Sequence, residues 1–299
     1  MGALVTTVLL EGTKAFRSCG GASTEQDWLE KRMQKDGKRN ILGVLIDAVD
    51  NKGAEQAILR AAHERRAFSV SALAVHGVMT GVLNRKHRYR LNHFDLLVPD
   101  GQPVRWAMNW LYGAGLRERV YGPNLTLAVC ERAEKENLSV YFYGSTPAVL
   151  SQLEQSLSHK FPRLVVAGAE SSKFRQISRE EKAQVVQNIH TSGASIVFLG
   201  LGCPRQEVWA YEFRDSLSIP VLAVGAAFPF LAGVIPQAPR WMQDRGLEWL
   251  FRLAAEPRRL WRRYLLLNPA YLMLVALQAA RILRFGSRGR PPAEEMLFG

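Results

Sequence analysis

Residues 195–216 read SIVFLGLGCPRQEVWAYEFRDS, a continuous apolar run that changes within a few residues into a segment of helical period. Short runs of β-branched and aliphatic residues are typical of buried strands, whereas apolar residues three or four positions apart are typical of amphipathic helices. The glycine-rich turn Gly200-Leu201-Gly202 joins the two halves. The stretch therefore predicts a buried strand that ends in a tight turn and leads directly into a helix.

The same strand-and-helix unit recurs along most of the chain. Further apolar runs, each followed by a segment of helical period, read ILGVLID, FSVSALA, FDLLVPD, SVYFYG, RLVVAGA and PVLAVGAA. Nearly continuous apolar strands that alternate with helices are typical of a parallel sheet covered on both faces. We therefore predict an α/β fold with a Rossmann-like, mostly parallel sheet, helices on both faces, and a ligand site at the carboxyl ends of the strands.

Composition divides the 299 residues into four parts. Residues 1–40 are polar from position 13 onward and contain Gly20-Gly21, which predicts a mobile lead-in. Residues 41–244 hold the Rossmann-like core. No strand pattern follows, and the Arg- and Trp-rich residues 245–285 predict a helical, membrane-associating appendage, while residues 286–299 are expected to form a disordered tail.

The chain is strongly basic. Its 39 Lys and Arg residues against 27 Asp and Glu residues give a formal net charge of +12. This balance favours anionic partners such as phosphates, nucleic acid or acidic lipid. No RNA- or DNA-binding motif occurs, and the basic residues lie among long aliphatic runs, so nucleic acid is not expected as a partner.

The metal-binding residue types show no ligand spacing along the chain. Cys19, Cys130 and Cys203 are odd in number and lack C-x-x-C spacing, which argues against both a disulfide framework and a zinc site and fits a reducing cytosol. No two histidines have the i, i+4 spacing of a helical metal site, and no D-x-D or H-E-x-x-H sequence occurs. We therefore predict no metal.

The turn after the strand at 196–200 carries the first candidate site. Free backbone N–H groups at a helix start, beside Gly200 and Gly202, suit a phosphate. Arg205, Gln206 and Glu207 follow in the first helical turn. Glu207 is alternatively a capping-box acid with no functional role.

Two other strand ends carry candidate residues. Asp100 lies between Pro99 and Gly101, where its carboxylate is either a positioned general base or the Asp of an ordinary β-turn. Gly144 precedes a Ser-Thr pair at another strand-to-helix turn. These residues either cap the helix or offer backbone amides to a nucleotide.

The appendage combines basic and apolar residues. Leucines recur at helical spacing, and the run at 264–280 is interrupted by Asn268-Pro269 and is shorter than the roughly 20 residues that a membrane-spanning helix needs. We therefore expect this segment to lie on an anionic membrane surface, with a helical hairpin packed on the sheet as the alternative. The arginines that crowd it are Arg252, Arg258, Arg259, Arg262 and Arg263.

Four stretches of this chain match the elements of a known family. They read LLVPDGQPV, RVYGPNL, FLGLGCPRQEVWA and VGAAFPFLAGVIPQAPRWMQDRGLEWLFRLAAEPRRLWRRY. Together, over about residues 42–264, they resemble the WecG/TagA/CpsF family of bacterial glycosyltransferases, family 26. The resemblance implies an inverting transferase that moves a sugar, such as N-acetylmannosamine, its uronate or glucose, from a UDP-sugar to a polyprenyl-diphosphate-linked saccharide in surface polysaccharide biosynthesis. It also implies a cytoplasmic protein peripheral to the inner face of the plasma membrane, without a metal or cofactor.

The resemblance assigns roles to individual residues. Asp100 matches the proposed catalytic base in the family's PDG element. The other matched elements lie around the donor, the catalytic pocket and the diphosphate groups. With the glycines of the strand ends, the predicted substrate-binding residues are Gly101, Gly122, Asn124, Gly144, Gly200, Gly202, Arg205, Gln206, Glu207, Gly225, Arg252, Arg258, Arg259 and Arg263.

The chain departs from the family pattern where the sugar is held. Ala72-Leu73-Ala74 stands in place of T-x-N, Pro229 in place of the Asp in F-D-[FY], and Gln237 in place of the Arg in R-A-P. Ser71 or His76 are candidate replacements for the missing polar groups. These departures leave the donor sugar open.

Two other function classes compete with the transferase. The altered sugar positions favour a non-catalytic module that binds a nucleotide sugar or a lipid diphosphate, whereas the retained Asp100 favours the enzyme. A dinucleotide oxidoreductase is disfavoured because Arg205 stands where the third glycine of G-x-G-x-x-G belongs. A homo-oligomer is left open by the sequence.

Overall fold

Residues 37–299 are described by the computed structural model, and eight strands lie among them. The strands are β1 (Lys38–Ile41), β2 (Val44–Asp47), β3 (Phe68–Leu73), β4 (Leu96–Pro99), β5 (Val140–Gly144), β6 (Val166–Glu170), β7 (Ile196–Gly200) and β8 (Pro220–Ala223). The predicted lead-in, residues 1–40, falls outside the described residues except for 37–40, most of which belong to β1.

Strands β3 to β8 form one sheet in the order β4-β3-β8-β7-β5-β6. Every neighbouring pair in this sheet is parallel. Each connection between successive strands of the sheet contains at least one helix, as parallel pairing requires. The predicted Rossmann-like parallel sheet is therefore confirmed.

Helices cover both faces of the sheet. They are α1 (Asn51–His63), α2 (Val75–Leu83), α3 (Arg85–Asn92), α4 (Gln102–Tyr112), α5 (Gly122–Lys135), α6 (Pro147–Lys160), α7 (Arg179–Thr191), α8 (Arg205–Phe213), α9 (Ala227–Leu231), α10 (Arg240–Asp244), α11 (Glu248–Ala255), α12 (Pro257–Arg262) and α13 (Asn268–Ala279). Along β7, Ile196 and Phe198 join the apolar cluster that holds α1, α5, α6 and α9, while Val197 and Leu199 join the cluster that holds α2, α4, α8 and α13. Successive strand residues point to opposite faces, so a continuous apolar run fills both layers.

The run ILGVLID differs from the prediction of a strand in the parallel sheet. It belongs to an antiparallel hairpin of β1 and β2, with Ile41 paired to Val44. Leu42 and Gly43 form the turn and both have positive φ, 53° and 92°, as a two-residue type I′ turn requires. The Asp47 carboxylate accepts a hydrogen bond of 2.7 Å from the Leu97 N–H and thereby joins the hairpin to β4.

The C-terminal helices pack on the core of the protein. Tyr271 of α13 is fully buried and donates a hydrogen bond of 3.3 Å to the Pro103 carbonyl. This packing agrees with the helical-hairpin alternative for the appendage. Among residues 37–299, no helix has both the length and the apolar content needed to cross a bilayer.

Residues 286–299, which the sequence analysis predicts to be a disordered tail, make specific contacts with the core. Phe298 forms a bridge with Gln176, and the Ser172 hydroxyl donates a hydrogen bond of 2.6 Å to the Gly299 carbonyl. Leu297 is 8% exposed. These contacts attach the end of the tail to the segment that follows β6.

Candidate functional site

A pocket of about 450 Å³ opens at the carboxyl edge of the sheet. Leu73, Asp100 and Gly200 line it from the ends of β3, β4 and β7. Trp249 of α11 and Tyr264 of the π-helical turn after α12 form the opposite wall. Open parallel sheets bind ligands at this edge, so the pocket is the candidate functional site.

Most of the predicted site residues meet in this pocket. They come from sequence segments far apart in the chain and are brought together because parallel strands present their carboxyl ends at one edge. The predicted residues that line the pocket are Asp100, Gly101, Gly122, Gly200, Gly202, Gln206, Glu207, Gly225, Arg252, Arg259 and Arg263.

The structure places four predicted residues outside the pocket lining. Asn124, Arg205 and Arg258 are exposed. The Arg205 guanidinium lies 5.8 Å from the ring centroid of Phe298, in the tail. Gly144 is not part of the pocket lining. A Cβ added to it would come within 3.0 Å of the Gly200 backbone, so this glycine permits close packing of β5 against β7.

Asp100 is held from two sides. Its N–H donates to the Leu73 carbonyl at 3.3 Å, and its Oδ1 atom accepts a hydrogen bond of 2.9 Å from the Gly122 N–H. Gly122 is the first residue of α5, so the carboxylate sits at the positive end of a helix dipole. The ordinary β-turn alternative predicted a bond to the local backbone, whereas the observed partner lies on another element.

The surroundings of Asp100 raise the proton affinity of its carboxyl group. Burial raises the pKa of Asp100 from 3.8 to about 6, although the charge of Arg119 and the Gly122 hydrogen bond act in the opposite direction. A carboxylate with a pKa near 6 is still mostly ionised at neutral pH. It is also a stronger base than an exposed aspartate, as general base catalysis requires.

An ion pair beside Asp100 was missed by the sequence analysis. Arg119 pairs with Glu248, whose Oε1 atom accepts a hydrogen bond of 3.2 Å from the Tyr121 hydroxyl. The Arg119 guanidinium lies 4.0 Å from the Tyr121 ring centroid. Arg119 and Tyr121 belong to the stretch RVYGPNL, but nothing local indicates their partner, because Glu248 opens α11 far along the chain.

Gln206 and Glu207 form a buried network under the pocket. Glu207 Oε1 accepts hydrogen bonds from the Ser71 hydroxyl at 3.0 Å and from Gln206 Nε2 at 2.8 Å. A Cβ at Gly225 would lie 2.7 Å from Gln206 Oε1, so only glycine fits beside this amide. The Glu207 side chain makes no capping bond at the start of α8, so the capping-box alternative is wrong.

The appendage supplies positive charge to the pocket. Arg252, Arg259 and Arg263 line it, and the buried Nε of Arg252 has no hydrogen-bond partner within the described part of the chain. Arg259 Nε donates to Glu256 Oε1 at 2.9 Å. A cationic wall with an unpaired N–H group is suited to an anionic ligand such as a diphosphate.

Two of the three altered sugar positions also face the pocket, whereas the exposed Gln237 does not line it. Ala72, Leu73, Ala74 and Pro229 belong to its lining, together with His76. Burial and the charge of Arg263 lower the pKa of His76 from 6.5 to about 4, so its imidazole is neutral at physiological pH. The buried Nδ1 atom of His76 has no partner among residues 37–299 and is available to a ligand.

Fold and pocket together define a Rossmann-like α/β protein whose strand-end site combines a positioned carboxylate with several arginines. The family model for the glycosyl transferase WecG/TagA/CpsF family matches residues 39–284. The chain therefore belongs to this family of glycosyltransferases, and the match covers the core and the C-terminal helices up to the end of α13.

Proposed function

We propose that this protein is an inverting glycosyltransferase that moves a sugar from a UDP-sugar to a polyprenyl-diphosphate-linked saccharide in bacterial surface polysaccharide biosynthesis. The observation that carries the proposal is the position of Asp100. Its carboxylate lines the pocket and accepts a hydrogen bond from the Gly122 N–H. Arg119 and Arg252 are close enough for their positive charges to favour the ionised carboxylate, although burial raises the pKa overall.

In the proposed reaction Asp100 takes the proton from the acceptor hydroxyl. The acceptor oxygen forms a bond to the anomeric carbon while the bond from that carbon to the UDP oxygen breaks on the opposite face. The configuration at carbon is therefore inverted, and the electron pair leaves with UDP. Positioned cations and backbone amides offset the charge that develops on a leaving group in this way.

In this proposal, cationic side chains stabilise the negative charge of the UDP leaving group. Arg252, Arg259 and Arg263 line the pocket together with the turn at Gly200-Gly202. Arginine pairs well with diphosphate oxygens because its guanidinium offers several N–H donors in one plane. On this proposal, added magnesium or manganese is not needed for transfer.

Membrane association completes the proposal. Trp261, Leu265 and Leu266 are exposed on α12 and the turn after it, next to the exposed Arg258 and Arg262. An aromatic and aliphatic surface edged by arginines is typical of a protein that lies on an anionic bilayer. We infer a cytoplasmic protein that binds the inner face of the plasma membrane, where its pocket has access to a polyprenyl-linked acceptor held in the bilayer.

The second candidate is a binding module without turnover. It is favoured by the apolar Ala72-Leu73-Ala74 segment and Pro229 in the pocket lining, where hydroxyl, amide and carboxylate groups would otherwise hold the sugar. Such a module would bind UDP or a lipid diphosphate through the same arginines. It would not need the buried carboxylate of Asp100.

A transfer assay separates the two candidates. Purified full-length protein is incubated with a panel of UDP-sugars and a polyprenyl-diphosphate-linked acceptor, with and without magnesium, and the product is analysed by mass spectrometry and NMR. We expect transfer from one or a few donors with inversion and without a magnesium requirement. Thermal stabilisation by UDP without product from any donor would instead support the binding module.

A further inference from the structure

Three side chains that can ligate a metal converge beneath the pocket. His87 lies on α3, Cys203 in the turn after β7, and Glu207 on α8. One ligand atom from each lies within 4.8 Å of the other two. His87 is 3% exposed and Glu207 is 1% exposed, so two of the three groups are almost completely removed from solvent.

Two of these buried groups have a polar atom without a partner. Within residues 37–299, neither His87 Nε2 nor Glu207 Oε2 makes a hydrogen bond, whereas Glu207 Oε1 is engaged by Ser71 and Gln206. A buried polar atom without a partner destabilises the folded state. Two such atoms in one cluster therefore point to an occupant that can accept lone pairs from both.

We propose that His87, Cys203 and Glu207 bind a zinc ion. Thiolate, imidazole and carboxylate are the three ligand types that zinc prefers, and a hard cation such as magnesium has little affinity for a thiolate. Zinc bonds of about 2.0–2.3 Å in a tetrahedral site place the ligand atoms roughly 3.3–3.8 Å apart. The observed separations require the side chains to move inward by about 1 Å at most on binding.

The charges in the cluster balance a divalent cation. The Cys203 thiolate and the Glu207 carboxylate would supply two negative charges, and a neutral imidazole from His87 would add none. Zinc binding exchanges the Cys203 thiol proton for the metal and releases that proton to solvent. The positive charge of Arg263, which also acts on Cys203, opposes binding of the cation.

The proposed zinc is structural, and two of its ligands, Cys203 and Glu207, also belong to the pocket lining. It would tie the turn at Cys203 and the first turn of α8 to α3, and so fix the segment that carries Gln206 beneath the pocket. The sequence analysis did not identify this site because His87 lies far along the chain from Cys203 and Glu207 and the three residues form no known metal-binding motif. The inference does not depend on the proposed transferase activity, since its readouts are metal content and spectra.

The first test is metal analysis of the full-length protein. Protein purified from zinc-supplemented medium and passed over a gel-filtration column should retain stoichiometric zinc by inductively coupled plasma mass spectrometry. Metal-free protein titrated with cobalt(II) should develop the thiolate-to-cobalt charge-transfer absorption and the visible bands of a tetrahedral site. Wild-type protein that retains no zinc and shows no charge-transfer band would overturn the proposal without any variant.

The second test uses matched cysteine variants. Cys203→Ser and His87→Ala should weaken zinc affinity by at least about 100-fold, since even changes to groups that only support a ligand cost about 10–100-fold. Cys130→Ala removes the other described thiol, which is buried in the cluster on the opposite face of the sheet, and should leave zinc and the cobalt spectrum unchanged. Circular dichroism checks that each variant is folded. Zinc retained in folded Cys203→Ser would place the metal elsewhere, as adventitious surface binding, and would also overturn the proposal.

Discussion

The Oδ1 atom of Asp100 lies 2.9 Å from the backbone nitrogen of Gly122 and accepts its hydrogen bond. This contact joins the end of β4 to the first residue of α5 and fixes a buried carboxylate at a helix N-terminus. A free helix N-terminus stabilises negative charge, while burial opposes it. The balance leaves a carboxylate that is oriented, ionised at neutral pH and more basic than usual.

Replacing Asp100 by Asn should lower turnover by about 100-fold or more, because a positioned general base contributes roughly 10²–10⁴-fold. Asn keeps an oxygen that can accept the Gly122 hydrogen bond, so UDP affinity should change little. Steady-state transfer kinetics and calorimetric titration with UDP measure the two effects. Asp215→Asn, at an exposed position outside the pocket, is the matched control. Wild-type turnover in Asp100→Asn would remove this residue from the mechanism.

The pH dependence of transfer should report the ionisation of Asp100. Its pKa is about 6, and only the ionised form can take a proton. The value of kcat/KM should therefore fall about tenfold per unit of pH below about 6 and be level above about 7. The residual activity of Asp100→Asn should lack this acidic limb. An unchanged acidic limb in that variant would assign it to another group.

The same burial should make Asp100 costly for stability at neutral and alkaline pH. Its folded pKa lies above the ordinary value of 3.8, so the favourable contribution of this group is fully present below about pH 4 and is lost as pH rises through about 6. Asp100→Asn should thus raise the free energy of unfolding by up to about 3 kcal/mol at pH 8 and by little at pH 4. Urea unfolding at both pH values measures the difference. An equal effect at both would show that ionisation is not its cause.

Substitution of two adjacent arginines should distinguish a role in the pocket from a general effect of surface charge. Both side chains are exposed, but Arg259 lines the pocket and Arg258 does not. Arg259→Ala should lower kcat/KM with a short, water-soluble acceptor by about tenfold or more, since a hydrogen bond to a charged group contributes about 1.5–3 kcal/mol. Arg258→Ala should leave this value unchanged. Equal losses in the two variants would contradict the assignment of Arg259 to the diphosphate.

Exposed residues of α12 should account for binding to anionic vesicles. Replacing Arg258 and Arg262 by Ala should weaken vesicle affinity about 30-fold at low salt, because each basic residue near an anionic surface contributes about 1 kcal/mol. Trp261→Ala should instead reduce the binding that remains at high salt, since its side chain is 43% exposed and apolar.

Vesicle flotation over a range of salt concentrations measures both parts of this binding. The matched control replaces Lys52 and Arg60 by Ala, which removes the same charge from exposed positions of α1 on the opposite face of the sheet. An equal loss of flotation in the control would mean that net charge, and not the α12 surface, holds the protein on the bilayer.

The sequence by itself determined the repeating strand and helix units and the carboxyl edge as the place of the pocket. Both follow from local periodicity, because an apolar run such as residues 196–200 can be buried on two faces only in a covered sheet. The sequence motifs also predicted Asp100, Gly122 and Gln206 as site residues. The sequence pattern could not distinguish the hairpin at Leu42-Gly43 from a single continuous strand, because both structures are built from the same run of apolar residues.

Tertiary structure decided which of the predicted residues face one another. Arg258 and Arg259 are chemically identical, adjacent and both exposed, and only the packing of α12 places Arg259 in the pocket lining and leaves Arg258 outside it. The pairing of Arg119 with Glu248 and the convergence of His87 with Cys203 join segments far apart in the chain. Such contacts depend on how helices pack on the sheet, and this packing is set by the whole core and not by the residues near either partner in sequence.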